Sequence, residues 1–154
     1  MKKKVLILGA SGMIGSGFMQ EMMSDNELFV MGTYNNNHYF SNNKNYFKLD
    51  LFSENSFNDL FFELTPNYVI NCVGITKHLD HKFTENEVKY LNAELPHILA
   101  KFCIENNSKL IHVSSDCVFS GKKGDYTEND ETDANDLYGQ TKAAGEVIDS
   151  NNIT

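Results

Sequence analysis

The chain has 154 residues, the length of a single domain that can bury a substantial core. Its formal net charge of −8 excludes the basic stripe that nucleic-acid phosphates require and argues against an anionic membrane surface as a partner. At 41% hydrophobic and 22% charged it reads as an ordinary globular domain, and no apolar run reaches the roughly 18 residues that a membrane span needs.

In chain order, Met1-Lys2-Lys3-Lys4 and the apolar residues 5–8 look at first like the front of a signal peptide. The run breaks at once into glycines, so the lysines are read as a solvated start to a first strand buried on both faces. A helix is expected over 13–23, a second strand at 28–31 and a weaker third at 46–49. The asparagines at 35–37 and 42–43 are read as loop. Ser53 can cap a helix whose apolar residues Phe57, Leu60, Phe61 and Leu64 recur at helical spacing, and Pro66 ends it. A fourth strand follows at 68–73. A longer helix is expected over 84–106, with the stripe Val88, Leu91, Leu95, Ile98, Leu99 and Phe102. Pro96 inside it should remove one backbone hydrogen bond and bend it. Residues 109–114 form a fifth strand, 115–135 a long polar loop of the kind that is functional or disordered, and 136–149 a last helix. Alternating strands and helices imply parallel pairing through crossovers.

Gly9-Ala10-Ser11-Gly12-Met13-Ile14-Gly15 joins the first strand to the first helix. Glycines at this GxxGxxG spacing permit a tight turn, a close backbone approach to a pyrophosphate and close helix–strand packing, while the helix N-terminus offers N–H groups and positive potential to the phosphates. The expected fold is therefore α/β, a Rossmann-type doubly wound parallel sheet with ligands at the carboxyl ends of its strands. After the second strand stand Gly32-Thr33-Tyr34-Asn35-Asn36-Asn37, with no carboxylate for an adenosine ribose. That leans towards NADP over NAD, although no arginine stands there for the 2′-phosphate. Tyr34 is placed beside the cofactor. Asp50 and Leu51, after the third strand, are candidates for the adenine end, and Asp50 reads equally well as the residue that leads into the helix.

Tyr138-Gly139-Gln140-Thr141-Lys142 places Tyr138 and Lys142 on one helix face. A free tyrosine is a reluctant acid–base at neutral pH, since its pKa is about 10. A neighbouring ammonium favours the phenolate. Ser115, just past the fifth strand, can hold a substrate carbonyl oxygen. These three are the candidate catalytic residues.

The glycine turn together with Asn71-Cys72-Val73-Gly74, Asn92-Ala93-x-x-Pro96, Val113-Ser114-Ser115-Asp116-Cys117-Val118-Phe119-Ser120-Gly121 and Tyr138-Gly139-x-x-Lys142-x-x-Gly145-Glu146 resembles the dTDP-4-dehydrorhamnose reductase branch of the extended short-chain dehydrogenase/reductase family. The resemblance runs from residue 4 to about 150. It implies NAD(P)H-dependent reduction of a keto group on a nucleotide-activated sugar, in the synthesis of surface polysaccharide precursors. By it, Tyr138 protonates the forming alkoxide, Lys142 binds the nicotinamide ribose and tunes Tyr138, and Ser115 positions the carbonyl. The cofactor-binding set becomes Gly9, Ser11, Gly12, Met13, Ile14, Gly15, Tyr34, Asp50, Leu51, Cys72, Val73, Gly74 and Asn92, with Tyr138 and Lys142. Asp116, Val118 and Phe119 shape the edge of the substrate pocket. A nucleotide sugar is the implied partner, with a homodimer as the oligomer the family allows. Ser115 and Cys117 stand where the branch usually has Thr and Tyr. Family members are about twice as long. Residues 151–154 read as the opening of a sixth strand, so the chain is expected to be a dinucleotide-binding domain over 1–154 without its C-terminal substrate domain.

An epimerase or dehydratase of the same superfamily shares Ser, Tyr and Lys, and Asp116 is the only extra acid in reach. A non-catalytic NADP-binding regulatory subunit, or an inert truncated product, fits the same fold. Cys72, Cys103 and Cys117 form no CxxC pair and read as reduced thiols of a cytoplasmic protein. His78 and His81 lack a completing ligand set and read as a solvated loop rather than a metal site. His112 reads as a satisfied core histidine, and the phenylalanines around 57–62 as core or interface.

Overall fold

The computed structural model describes residues 2–35, 40–149 and 151–154, so Asn36 and Asn37 of the expected loop lie outside the described residues. Strands β1 (Lys3–Leu8), β2 (Leu28–Tyr34), β3 (Tyr46–Lys48), β4 (Tyr68–Asn71) and β5 (Lys109–His112) form one parallel sheet in the order β3-β2-β1-β4-β5. The chain first winds outward through β2 and β3, then crosses back past β1 to β4 and β5. The switch point therefore lies between β1 and β4, where Rossmann-type sheets open a crevice.

The continuous apolar run of β1 follows from burial on both faces. Leu6 and Leu8 join a core with Phe57, Phe61, Leu95 and Leu99, whereas Val5 and Ile7 join a second core with Met19 and Ile70. Helix α1 (Met13–Met22) covers the second face. Helices α2 (Glu54–Leu64), α3 (Glu85–Lys89) and α4 (Leu95–Glu105) cover the first. The phenylalanines divide accordingly: Phe57 and Phe61 are core, and Phe62 is 87% exposed.

Ser53 caps α2 as expected, accepting from the Ser56 N–H. At its other end Thr65, just before Pro66, closes the helix in a left-handed conformation (φ 44°) and donates its N–H to the Phe61 carbonyl. Lys4 departs from the expected solvated start. Its Nζ donates to Leu64 O and Thr65 Oγ1, both at 2.9 Å, placing a cation at the negative end of α2.

Pro96 is accommodated by a device other than the expected bend. Helix α3 starts from a Thr84–Glu87 capping box and runs into a single π turn, Tyr90–Glu94, before α4 begins. The Leu95 N–H reaches back to the Tyr90 carbonyl, and Pro96 falls in the first turn of α4, where a missing N–H costs least. Pro96 has no N–H to offer the carbonyls of the π turn that precedes it.

Another difference lies in the last helix. Helix α5 (Leu137–Ala144) stops well short of residue 149. Gly145 caps it where a Cβ would lie 2.0 Å from Asn92 O. Beyond it, the Val147 N–H donates to Thr154 Oγ1 at 2.7 Å, and Asp149 accepts from the Asn152 N–H at 2.8 Å. Ile153 then pairs in parallel with Ile111, with His112 N–H donating to Ile153 O at 2.8 Å, an isolated bridge beside β5 rather than a strand among the described residues. Among the described residues no helix is long and apolar enough to cross a membrane.

Candidate active site

The glycine turn sits at the carboxyl end of β1, at the switch point. Gly9 takes φ +74° with backbone and side-chain atoms of residues 72 and 73 at 3.2–3.3 Å from any added Cβ. Gly15 packs so tightly that a Cβ would stand 2.3 Å from Gly9 O, which brings α1 down onto the turn. Helix α1 has no side-chain cap and no acidic residue in its first turn. Its first N–H groups, from Met13, Ile14 and Gly15, thus keep their positive potential for an anion. Thr33, not foreseen in the sequence, is buried and accepts the Gly9 N–H through Oγ1 at 3.2 Å, tying the turn to β2.

A cleft runs from this turn between the ends of β2 and β4. Gly9, Ser11 and Gly12 line one side, Tyr34, Asn35 and Leu51 the far end, and Cys72, Val73 and Gly74 the other side. Most of the predicted cofactor residues are therefore brought together. Asp50 is exposed, and its Oδ1 accepts the Phe52 N–H at 3.0 Å in the turn that leads into α2. Asn92 does not line the cleft. It is fully buried, with Oδ1 accepting from Ile75 N–H (2.7 Å) and Nδ2 donating to Ile75 O (2.9 Å) and Thr141 Oγ1 (3.2 Å). It holds the cleft wall from behind and links that wall to α5.

Helix α5 is placed by Asp136, whose Oδ1 accepts the Gly139 N–H at 2.9 Å while Oδ2 pairs with Lys77 at 2.7 Å. Gly139 lets the helix approach the loop after β5, since a Cβ there would meet Cys117 O at 2.3 Å. Tyr138 is half-buried in the first turn, its hydroxyl without a hydrogen-bond partner among the described residues. One turn on, Lys142 is only 3% exposed, and its Nζ donates to Val113 O at 2.7 Å. Burial pushes its pKa down to about 8, against the opposing pull of Glu146 and Cys72. Ser115 is half-buried at the end of β5, where Oγ accepts the Cys117 N–H and lies 3.3 Å from Asp116 Oδ1. Ser115, Tyr138 and Lys142 do not hydrogen-bond one another directly.

Lys142 Nζ also stands 3.2 Å from His112 Nε2. Asn71 Nδ2 lies 3.1 Å from the other ring nitrogen. His112 is satisfied and buried, as expected, but its partners are Asn71 and the candidate catalytic lysine. Sequence reasoning missed that link. The signal for it is slight: Asn71 and His112 are the polar last residues of two strands that prove to be neighbours in register.

The long loop after β5 is built rather than loose. Asp133 accepts from both the backbone N–H and the hydroxyl of Ser120, each at 2.6 Å, and from Tyr126. Lys123 pairs with Asp130, and Phe119 stacks on Tyr126 with ring centroids 4.5 Å apart. This loop, with Ser115, Asp116, Val118 and Phe119, borders a second depression beside α5. His78 and His81 are exposed, and no group of three or more metal-ligating side chains gathers among the described residues. The three cysteines are free. Burial raises the thiol of Cys72 to about 11 and that of Cys103 to about 12.

Residues 2–153 match the family described as the RmlD substrate binding domain. The chain is 26% identical over 146 residues to a dTDP-4-dehydrorhamnose reductase of Aggregatibacter actinomycetemcomitans, covering 94% of this chain and 46% of that one. It is also 26% identical over 151 residues to methionine adenosyltransferase 2 subunit beta of Bos taurus, covering 97% and 44%. Among solved structures, a hypothetical dTDP-4-dehydrorhamnose reductase from Sulfolobus tokodaii superposes with a TM-score of 0.79 at 27% identity, over 94% of this chain and 50% of that one. A dTDP-4-dehydrorhamnose reductase from Bacillus anthracis in complex with NADP shares the fold with a TM-score of 0.73 at 23% identity, over 94% and 48%. The chain spans about half the length of the curated relatives it matches.

Proposed function

Because the chain belongs to the RmlD substrate binding domain family, we propose that it carries the cofactor site and the catalytic residues of an NADP-dependent oxidoreductase that reduces a keto group on a nucleotide-linked sugar. The dTDP-4-dehydrorhamnose reductases among its relatives support that substrate class, with surface polysaccharide precursors as its destination. In this reading residues 1–154 are the NADP-binding domain of a cytoplasmic enzyme, and the walls that grip the sugar come from elsewhere. The observation that carries it is the docking of α5 on the end of β5. Lys142 is anchored to Val113 O just past β5, Tyr138 lies one turn earlier on the same helix, and Ser115 follows the strand by three residues.

The glycine turn fits a dinucleotide. Its cradle closes when a Cβ is added at Gly15, and the bare N-terminus of α1 suits a pyrophosphate. Thr33 and Tyr34 present no carboxylate to repel a 2′-phosphate, which favours NADP over NAD. When bound, the reduced nicotinamide supplies the hydride. Ser115 Oγ holds the substrate carbonyl, and the Tyr138 hydroxyl donates a proton to the forming alkoxide. Lys142 keeps one N–H on Val113 O and offers the rest of its donor capacity to ribose hydroxyls.

A fluorescence titration of the chain with NADPH and with NADH tests the cofactor reading: saturable binding, tighter for NADPH, is expected. Failure of the folded chain to bind either nucleotide would overturn it. In a protein that carries this domain together with the sugar-binding walls, Tyr138→Phe should abolish reduction of a dTDP-4-keto-6-deoxy sugar. The likeness to methionine adenosyltransferase 2 subunit beta favours a second reading, a nucleotide-binding regulatory subunit. In that case Tyr138→Phe would leave the effect on a partner enzyme intact.

A further inference from the structure

Behind the cleft, three polar side chains are buried in a row: Asn71 at the end of β4, His112 at the end of β5 and Lys142 on α5. The polarity of their hydrogen bonds can be read from one fixed end. The Val73 N–H donates to Asn71 Oδ1 at 3.1 Å, which sets the orientation of the amide, because a backbone N–H cannot accept. The Asn71 NH₂ group therefore faces His112 Nδ1 at 3.1 Å. An amide nitrogen only donates, so Nδ1 accepts, and a neutral ring then carries its proton on Nε2. That N–H faces Lys142 Nζ at 3.2 Å. An ammonium has three donors and no lone pair to receive it, whereas a neutral amine can accept from Nε2–H and donate to Val113 O at 2.7 Å.

We propose that Asn71 and His112 are positioning residues that present a ring N–H to the Lys142 Nζ and so favour its amine form over the ammonium while Nζ rests against the His112 ring. The other groups that face the pair act in both directions. Burial, and secondly the charge of Lys142, push His112 down to about 3; the Asn71 backbone offsets this and His97 adds slightly to it, so the ring is neutral across the working range. Glu146, which favours the ammonium, already accepts from the Ser114 hydroxyl at 2.9 Å. Cys72, the other group that favours it, is held as a thiol by burial. Tyr138, the remaining ionisable neighbour, shares the α5 face of Lys142. For catalysis, which rests on the oxidoreductase reading above, the consequence is that Lys142 takes up its proton more readily once a ligand draws its Nζ away from His112.

The test uses the 154-residue chain without nucleotide, so it stands or falls separately from the cofactor reading. Ring ¹⁵N spectra, with His112→Gln to identify the signals, should show His112 as the Nε2–H tautomer across pH 5–9. The Lys142 ¹³Cε resonance, identified by its loss in Lys142→Met, should titrate near pH 8. Asn71→Asp keeps the acceptor for Val73 N–H but replaces the donor facing Nδ1 with an oxygen. It should switch His112 to the Nδ1–H tautomer and raise the Lys142 midpoint by at least about one pH unit, roughly tenfold in proton affinity. A native Nδ1–H tautomer, a native Lys142 midpoint near about 10.4, or a switched tautomer that leaves the Lys142 midpoint unmoved would each overturn the proposal. Should Asn71→Asp fail to fold, the native tautomer and midpoint decide alone.

Discussion

Replacing Gly145 by alanine adds a single methyl group, and the structure says where it must go. The new Cβ would stand 2.0 Å from Asn92 O, 3.1 Å from its carbonyl carbon and 3.3 Å from Ala93 Cα. All three are backbone atoms of the π turn, so no side-chain rotation relieves the contact. Nor can the turn retreat freely, because the Asn92 side chain is bonded to both Ile75 backbone groups and to Thr141. Separation has to grow by about 1 Å before the contact becomes tolerable, and the cost should fall in the 1–3 kcal/mol range of an overpacked core. At about 2–4 °C per kcal/mol for a domain of this size, the melting temperature should drop by roughly 2–12 °C. Gly17→Ala is the control. It lies in α1 with nothing within 4 Å of the added Cβ, and helix propensity alone predicts a gain of about 0.5–1 kcal/mol. Thermal and urea denaturation of both variants beside the native chain gives the answer. A Gly145→Ala chain as stable as the native one would refute the reasoning about the π turn and α5.

Stability should also depend on pH through two buried bases. The folded pKa of His112, lowered to about 3, means the unfolded chain binds the extra proton, so native stability is full above about 6.5 and falls as the pH drops towards 3. His112→Gln should flatten that acid limb, worth on the order of 4 kcal/mol, when urea midpoints are compared between pH 7 and 4. Lys142, lowered from 10.5 to about 8, works at the other end: native stability gains on the order of 3 kcal/mol between pH 8 and 10.5 as the unfolded lysine loses its excess proton. Lys142→Met should lack that rise. The raised thiols of Cys72 and Cys103 lower stability above pH 9 in both proteins; that of Cys103 cancels in the difference, whereas Cys72 loses the opposing pull of Lys142 in the variant. Asp136→Ala removes the α5 cap and should lower the urea midpoint, whereas Asp136→Asn keeps a capping oxygen, loses only the half-exposed pair with Lys77 and should stay near the native midpoint in the same assay.

The sheet was legible because its signals are local. A strand buried on both faces must be apolar at every position, and residues 5–8 are; a capped amphipathic helix shows its stripe, and α2 does. The glycine turn was legible for the same reason, since each glycine answers a need within its own few residues. What escaped depends on partners far away in sequence. Pro96 announced a disturbance, but whether the chain bends or inserts a π turn depends on what waits beside Asn92, and that is Gly145, more than fifty positions on. Gly145 also packs on Asn92 O where α5 ends, a contact that residues 145–149 by themselves do not announce. Lys4 looked like a solvated charge until the end of α2 was placed beside it. Asn92 enters the cofactor set through the family resemblance, whereas the structure buries it with its side chain bonded to the Ile75 backbone and Thr141. His112 was read correctly as satisfied, but its partners come from β4 and α5, and only the strand order brings them together.

The π turn ties together positions that a sequence would present as unrelated. Restoring an N–H at residue 96 would let the Asn92 carbonyl turn back into an ordinary helical bond, and the seat occupied by Gly145 would close or widen with it. Across related chains, residues 92, 96 and 145 should therefore be inherited as a set, changing together or not at all. A chimera that swaps the α3–α4 helix between two relatives while leaving residue 145 behind would join two correct halves that no longer seat against each other.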